Sequence, residues 1–170
     1  MADVVRNKRD GKLKVIDGSA TPVIVEVLFA EGDFTYNDPE QAEPIVIKDR
    51  QGNLAHVKKA DKFNGWGKTT FSFKYVNKNI KEALCNPATT TAVTADGIPA
   101  SYPTVNIEYE IYDQDETTVV ETHKLYNVYF DPGKVQFKEG EEADTMTAEG
   151  IIFGKYDDTA PGKRKFSEII

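Results

Sequence analysis

Few side chains in this chain could do chemistry, and their spacing does not favour it. A single cysteine, Cys85, excludes an intrachain disulfide and any all-cysteine zinc site. The two histidines, His56 and His123, stand far apart, and neither is flanked by a ligand cluster. Gly65-Trp66-Gly67-Lys68-Thr69 ends like a phosphate loop. It lacks that loop's upstream glycine, and a Phe-rich strand follows where a helix is required. Asp113, Asp115 and Glu116 form a loose acidic turn without the glycine and distal glutamate of a calcium loop. None of the serines (Ser19, Ser72, Ser101, Ser167) sits in a nucleophile elbow. Glu108 and Glu110 are two apart, so on a strand they share a face. An acid/base pair also needs a pocket that drives two pKa values apart, and their neighbours there, Asn106 and Tyr112, suggest an open sheet face instead. The expectation is a protein that is not an enzyme, with no cofactor and no metal.

The charge is more informative than the motifs. The chain of 170 residues has 21 basic and 28 acidic residues, a net of −7. Residues 1–85 hold 14 basic and 12 acidic residues, a net of +2, whereas residues 86–170 hold 7 and 16, a net of −9. Positions 96–149 alone hold three lysines against 13 acids, a net of −10. Such a balance argues against affinity for nucleic-acid backbones, which rests on Lys and Arg. It suits a solvated face, a surface that repels a polyanion, or one that meets a basic partner. The opening residues are polar with no apolar run, so a signal peptide is not expected. The stretch from Val23 to Ala30 is too short to span a bilayer, so no membrane partner is expected.

The elements that would carry these residues are mostly strands. Alternation predicts strands at Lys12–Asp17, Pro22–Phe29, Phe34–Tyr36, Pro44–Asp49, Leu54–Lys58 and Thr69–Tyr75. A short helix over 78–84 follows, with Asn77 as N-cap and Ile80, Ala83 and Leu84 as its apolar stripe. After a Thr/Pro-rich loop, Val105, Ile107, Tyr109 and Ile111 mark the cleanest strand. Thr117–Phe130, Lys134–Lys138 and Asp144–Tyr156 complete the set, with a turn at Asp131-Pro132-Gly133. The fold class expected is mainly β: a β-sandwich or rolled barrel of two packed antiparallel sheets with one flanking helix. A single β domain, 12–156, lies between an N-terminal arm, 1–11, and a C-terminal arm, 157–170. The apolar end Phe166, Ile169, Ile170 is unusual for a free tail and needs cover.

The run from Gly11 to Pro22 resembles the opening of small tail tube proteins of long-tailed, siphovirus-like bacteriophages. So do Val25-Glu26-Val27, Glu31 to Tyr36, Pro44-Ile45-Val46-Ile47, Asp49-Arg50, Leu54-Ala55-His56 and Phe71 to Tyr75. The similarity covers about the first 75 residues in order. It implies stacked hexameric rings that polymerise into a β-lined tube in the virion tail. DNA would pass down this tube at ejection without specific binding, and assembly would take place in the host cytoplasm. By the same resemblance the partners are further copies of the chain, the tape measure protein and tail terminator or tip proteins. No catalytic residue is carried over. On this reading Glu108, Glu110 and Glu121 are candidates for an acidic lumen wall that repels phosphates. Arg6, Lys8, Arg9, Trp66, Phe166, Ile169 and Ile170 are candidates for contacts between subunits or rings. Rival readings are another virion ring protein of related fold (terminator, connector or tail tip), a bacterial secretion tube, and a monomeric β-sandwich binding module for sugar or peptide.

Overall fold

The computed structural model describes residues 11–18, 23–26, 33–59, 62–74, 80–113, 117–139 and 145–170. In chain order the strands before the helix are β1 (Gly11–Ile16), β2 (Val23–Glu26), β3 (Asp33–Asn37), β4 (Glu40–Gln41), β5 (Ile45–Lys48), β6 (Leu54–Lys58), β7 (Phe63–Asn64) and β8 (Gly67–Lys74). The helix α1 (Ile80–Cys85) follows. After it come β9 (Val105–Tyr112), β10 (Val119–Lys138), β11 (Thr145–Ile152), β12 (Lys155–Tyr156), β13 (Arg164–Lys165) and β14 (Ser167–Ile169). The chain is mainly β, as expected, a curled antiparallel half-barrel with α1 its one α-helix among the described residues. The expected N-cap, Asn77, and positions 78 and 79 of the expected helix lie outside the described residues.

The main sheet has the order β2-β1-β9-β10-β11-β8-β3, with β14 also on β10. Its curl follows from how β10 divides its partners. Residues 119–128 pair with β9 and residues 128–138 with β11, and Val128 faces both Val105 and Ile152. One long strand therefore serves two leaves. The leaves meet face to face: Phe34 of β3 stacks on Tyr109 of β9 at 4.9 Å, although β3 is an edge of the sheet order. Between them lie Leu13, Val15, Phe71, Val105, Ile107, Leu125, Phe130, Met146 and Ile152, all buried. Phe71 and Phe130 cross edge-on at 5.5 Å, a preferred aromatic geometry. The helix closes the core with Ile80, Leu84 and Cys85. Burial pushes the Cys85 thiol's pKa up, the reverse of an activated nucleophile.

The turn expected at Asp131-Pro132-Gly133 is an excursion within β10. The register with β11 jumps between Phe130 and Val135, and residues 131–134 are exposed. The two leaves divide at Asn127, where the backbone is left-handed at φ 48. Asn is one of the few non-glycine residues that tolerate this region. Here its amide is saturated. Nδ2 donates to Asp96 Oδ2 at 2.9 Å and to the Gly154 carbonyl at 3.0 Å, while Oδ1 accepts from Thr91 Oγ1 at 2.8 Å. Its backbone N–H donates to Asn106 Oδ1 at 2.9 Å.

The segment expected as a C-terminal arm is hydrogen-bonded to the strands that precede it. β13 pairs with β12, β14 pairs with β10, and Ile170 exchanges backbone hydrogen bonds with Thr122. The physical reason is Phe166, which is 4% exposed and packs edge-on to Phe63 at 5.0 Å. An aromatic side chain at that position finds its cover inside the subunit.

Candidate functional site

The outward face of β1, β9, β10 and β14 carries the charge. Register puts Lys12 opposite Glu110, Lys14 opposite Glu108, Lys124 opposite Glu108, and Glu168 opposite Lys124. Cross-strand pairs of opposite charge are the expected outcome on a polar sheet face. Lys14 Nζ meets Glu110 at 2.5 Å, Tyr112 Oη donates to the same carboxylate at 2.6 Å, and Lys12 sits over the Tyr112 ring. Lys124 reaches Glu108 at 3.1 Å. Glu168 accepts from Lys165 and from Tyr126 Oη, both at 2.5 Å, and Lys155 lies over the Tyr126 ring at 3.9 Å. Burial pushes the Glu110 carboxyl up, but the hydrogen bonds from Lys14 and Tyr112 outweigh it and hold the group below its ordinary range. The hydrogen bonds from Lys165 and Tyr126 likewise hold Glu168 low. For Tyr126, burial and then the Glu168 carboxylate raise the pKa. The face is a lattice of compensated charges, with an ammonium on each of Glu108, Glu110 and Glu168.

Glu121 does not belong to this face. It pairs with Ile111, and His123 and Leu125 pair with Tyr109 and Ile107, so all three point to the inner side. There His123 Nε2 meets Glu121 at 2.5 Å and His123 Nδ1 meets Tyr36 Oη at 2.7 Å. This chain of bonds ties β3 to β10 across the curl. The expectation that Glu108, Glu110 and Glu121 line one wall is thus corrected: two share a face and the third helps close the barrel.

Two surfaces stand open. The first is the β5–β6 hairpin, whose strands, among the described residues, pair only with each other and whose strand residues are all exposed. Ile45, Val46, Ile47, Leu54 and Val57 are 47–65% exposed. Asp49 holds its tip by accepting from the backbone of Gln51 and Asn53, bonds that keep its carboxyl below the usual range. The second is a cavity of about 280 Å³ where β9 begins and β11 ends, lined by Trp66, Asp96, Gly97, Ile98, Pro99, Tyr102, Phe153 and Arg164. Trp66 is half exposed, packs edge-on to Phe153 at 5.3 Å and lies under the Arg164 guanidinium at 5.8 Å.

Of the residues expected to make contacts between subunits, Trp66, Ile169 and Ile170 are exposed, and Phe166 is buried in its own subunit. Arg6, Lys8 and Arg9 lie outside the described residues. Sequence reasoning placed both strands of the hairpin but missed their exposure, because Ile45-Val46-Ile47 reads like a core strand, and it missed Arg164, which lies against Trp66, nearly a hundred residues away. Among the described residues no group of three or more His, Cys, Asp or Glu could hold a metal ion. Among them no helix is long and apolar enough to cross a membrane.

No family model matches the chain, and no curated relative does. Solved structures do. A chain of the anti-feeding prophage baseplate, from a six-fold symmetrised cryo-EM structure, aligns over 100% of this chain and 97% of its own, with TM-score 0.55 and 9% identity. The fold is that of chains found in tail-like injection particles. A chain from the sheath–tube complex of the PVC extracellular contractile injection system, in the extended state, gives TM-score 0.56 at 8% identity, covering 99% and 93%. A chain from the tube-terminating cap of the anti-feeding prophage gives 0.53 at 11%, covering 100% and 93%. The shared fold extends over the whole length of this chain, without similarity in sequence.

Proposed function

We propose that this chain is a structural subunit of a phage-tail-like particle, self-assembling as hexameric rings that stack into a tube. The observation that carries this reading is the β5–β6 hairpin. An isolated two-stranded hairpin is marginal in water. This one also exposes five large apolar side chains and two open strand edges, a combination that needs cover. Residues 45–59 hold Lys48, Arg50, Lys58 and Lys59 against Asp49, while positions 96–149 have a net of −10. A second copy therefore offers the hairpin a surface of opposite charge. The shared fold with chains of a tube complex, a cap and a six-fold symmetrised baseplate supports the same reading.

In this proposal Glu108 and Glu110 face the conduit. Because each is bonded to a lysine, the wall neither grips nor strongly repels a DNA cargo, which would pass without specific binding. The tape measure protein would occupy the tube before ejection, terminator and tip proteins would close its ends, and assembly would take place in the host cytoplasm. A second reading, a closed cap or baseplate ring, draws on the same fold match to a cap chain and a baseplate chain. Negative-stain microscopy and sedimentation of the purified chain test both. Rods of indefinite length support the tube and single discs support the cap. Particles that stay monomeric up to high concentration refute assembly altogether. Ile47→Lys with Val57→Lys, both on exposed positions, should abolish the assemblies while leaving the melting temperature within a few degrees.

A further inference from the structure

We infer that Asn64 is a site of self-modification, where the Asn64–Gly65 pair closes to a succinimide and reopens to aspartate and isoaspartate. It is the only Asn-Gly pair in the chain. Asn64 ends β7 and is exposed, and Gly65 follows at φ 83, a left-handed conformation that glycine accepts freely. Cyclisation needs the nitrogen that follows an asparagine to reach that asparagine's Cγ, and a side chain on the following residue obstructs the approach. Gly65 has none, and a Cβ there would meet nothing within 4 Å. Among the described residues, neither the Asn64 side chain nor the Gly65 N–H has a hydrogen-bond partner. The other described asparagines are held or blocked. Asn37 and Asn53 donate through Nδ2 to the Asp38 carbonyl and to Asp49 Oδ2. Asn106 accepts from the Asn127 N–H, and the Asn127 amide is saturated. Asn86 precedes Pro87, which has no N–H to lose. Asp96–Gly97 shares the following glycine, at φ 72, but Asp96 is 4% exposed and its oxygens accept from the Val93 and Tyr156 N–H groups and from Asn127 Nδ2.

The chemistry needs only water. The Gly65 nitrogen loses its proton to solvent and bonds to Asn64 Cγ, the Cγ–Nδ2 bond breaks, and ammonia leaves with the proton it needs. Water then adds to one of the two ring carbonyls. Opening on one side gives aspartate. Opening on the other gives isoaspartate, in which the backbone runs through Cβ and is longer by one carbon. Nothing is oxidised or reduced. Either product puts a new carboxylate on β7, where register sets Asn64 opposite Glu40, and like charges directly opposite destabilise a strand pair. β7 holds only Phe63 and Asn64, and Phe63 is the ring that covers Phe166. The modification therefore loosens the pairing that holds this cover in place.

The test is peptide mapping by mass spectrometry on the folded full chain, incubated at neutral and at mildly alkaline pH. Fragmentation that distinguishes isoaspartate from aspartate identifies the products. The expected result is conversion at Asn64 an order of magnitude faster than at any other described asparagine. It should be faster at the higher pH, because the deprotonated nitrogen attacks, and isoaspartate should be present in the product. Asn64→Gln, which would have to close a larger and slower-forming ring, should leave that peptide unmodified over the same period while the chain stays folded by circular dichroism. Conversion at Asn64 no faster than at Asn37 or Asn53 overturns the inference. So does a product that is aspartate alone, which means direct hydrolysis without the ring. Conversion seen in urea but not in the folded chain overturns it as well, because the fold would then protect the pair rather than leave it open.

Discussion

Replacing Asn127 probes the joint on which the curled sheet depends. The residue is 2% exposed, and its side chain makes three hydrogen bonds at 2.8–3.0 Å, to Asp96, Gly154 and Thr91. Asn127→Ala removes all three and leaves their partners short of a bond in a buried site. At about 1 kcal/mol for each bond lost, this amounts to about 3 kcal/mol. An alanine held at φ 48 adds about 1 kcal/mol of backbone strain. The expected loss is about 4 kcal/mol, a large share of the roughly 5–15 kcal/mol that stabilises a domain. For a chain of this size it would lower Tm by about 8–16 °C. Asn127→Gly loses the same bonds without the steric strain, so it should melt a few degrees above the alanine variant. Thermal unfolding followed by circular dichroism measures both. If Asn127→Ala costs less than about 1 kcal/mol, or if the glycine variant is the less stable of the two, the hinge does not work as described.

Acidification should weaken the outer face in a defined window. Glu110 and Glu168 have lowered pKa values in the fold, so their contribution is complete above the unfolded value of about 4.3 and disappears as pH falls through the lower folded values. Tm measured from pH 6 to 2 should drop there, and Lys14→Met should flatten the slope; a slope unchanged by that substitution would count against the Lys14–Glu110 bond. Gly150→Ala would place a Cβ 2.7 Å from the Phe130 ring and 2.8 Å from Val128. It should cost about 1–3 kcal/mol by overpacking, seen as a lower urea midpoint. Phe166→Ala should cost about 3–5 kcal/mol, whereas Ile169→Asp with Ile170→Asp, at positions 61% and 65% exposed, should change stability by less than about 0.5 kcal/mol. Comparable losses in the two would contradict the docking of Phe166 alone.

Alternation along the chain predicted the longer strands, though not the short β4, β7, β13 and β14, because each leaf has one dry face and period-2 patterning follows from that. β9 is the clearest case: Val105, Ile107 and Ile111 are buried, and Glu108 and Glu110 lie on the other side. Alternation assigns faces within one strand only. Whether Glu121 joins Glu108 or opposes it depends on register, and a bulge between Val119 and Glu121 shifts that register. The exposure of the hairpin was illegible for a related reason: Ile45-Val46-Ile47 has the composition of a core strand, and composition does not reveal whether the cover belongs to the same chain. Asn127 gave no local signal at all. Its conformation is imposed by Asp96, Thr91 and Gly154, residues 27–36 positions away in sequence.

The acidity of the second half takes on a different meaning once its carboxylates are placed. On the sheet, Glu108 and Glu110 carry lysines, Glu121 holds His123, and the buried Asp96 is satisfied by backbone and amide donors. In sequence, Asp113, Asp115 and Glu116 and Glu139, Glu141, Glu142 and Asp144 fall in the connections that follow β9 and β10. A wall built to repel a polyanion would keep its carboxylates bare along the strands, yet here lysines neutralise Glu108 and Glu110. Charge gathered in the connections acts on whatever meets the ends of the sheet. The basic, apolar hairpin at 45–59 has the complementary sign. On the proposed assembly, the net charge of −7 therefore bears less on a cargo than on a neighbouring subunit.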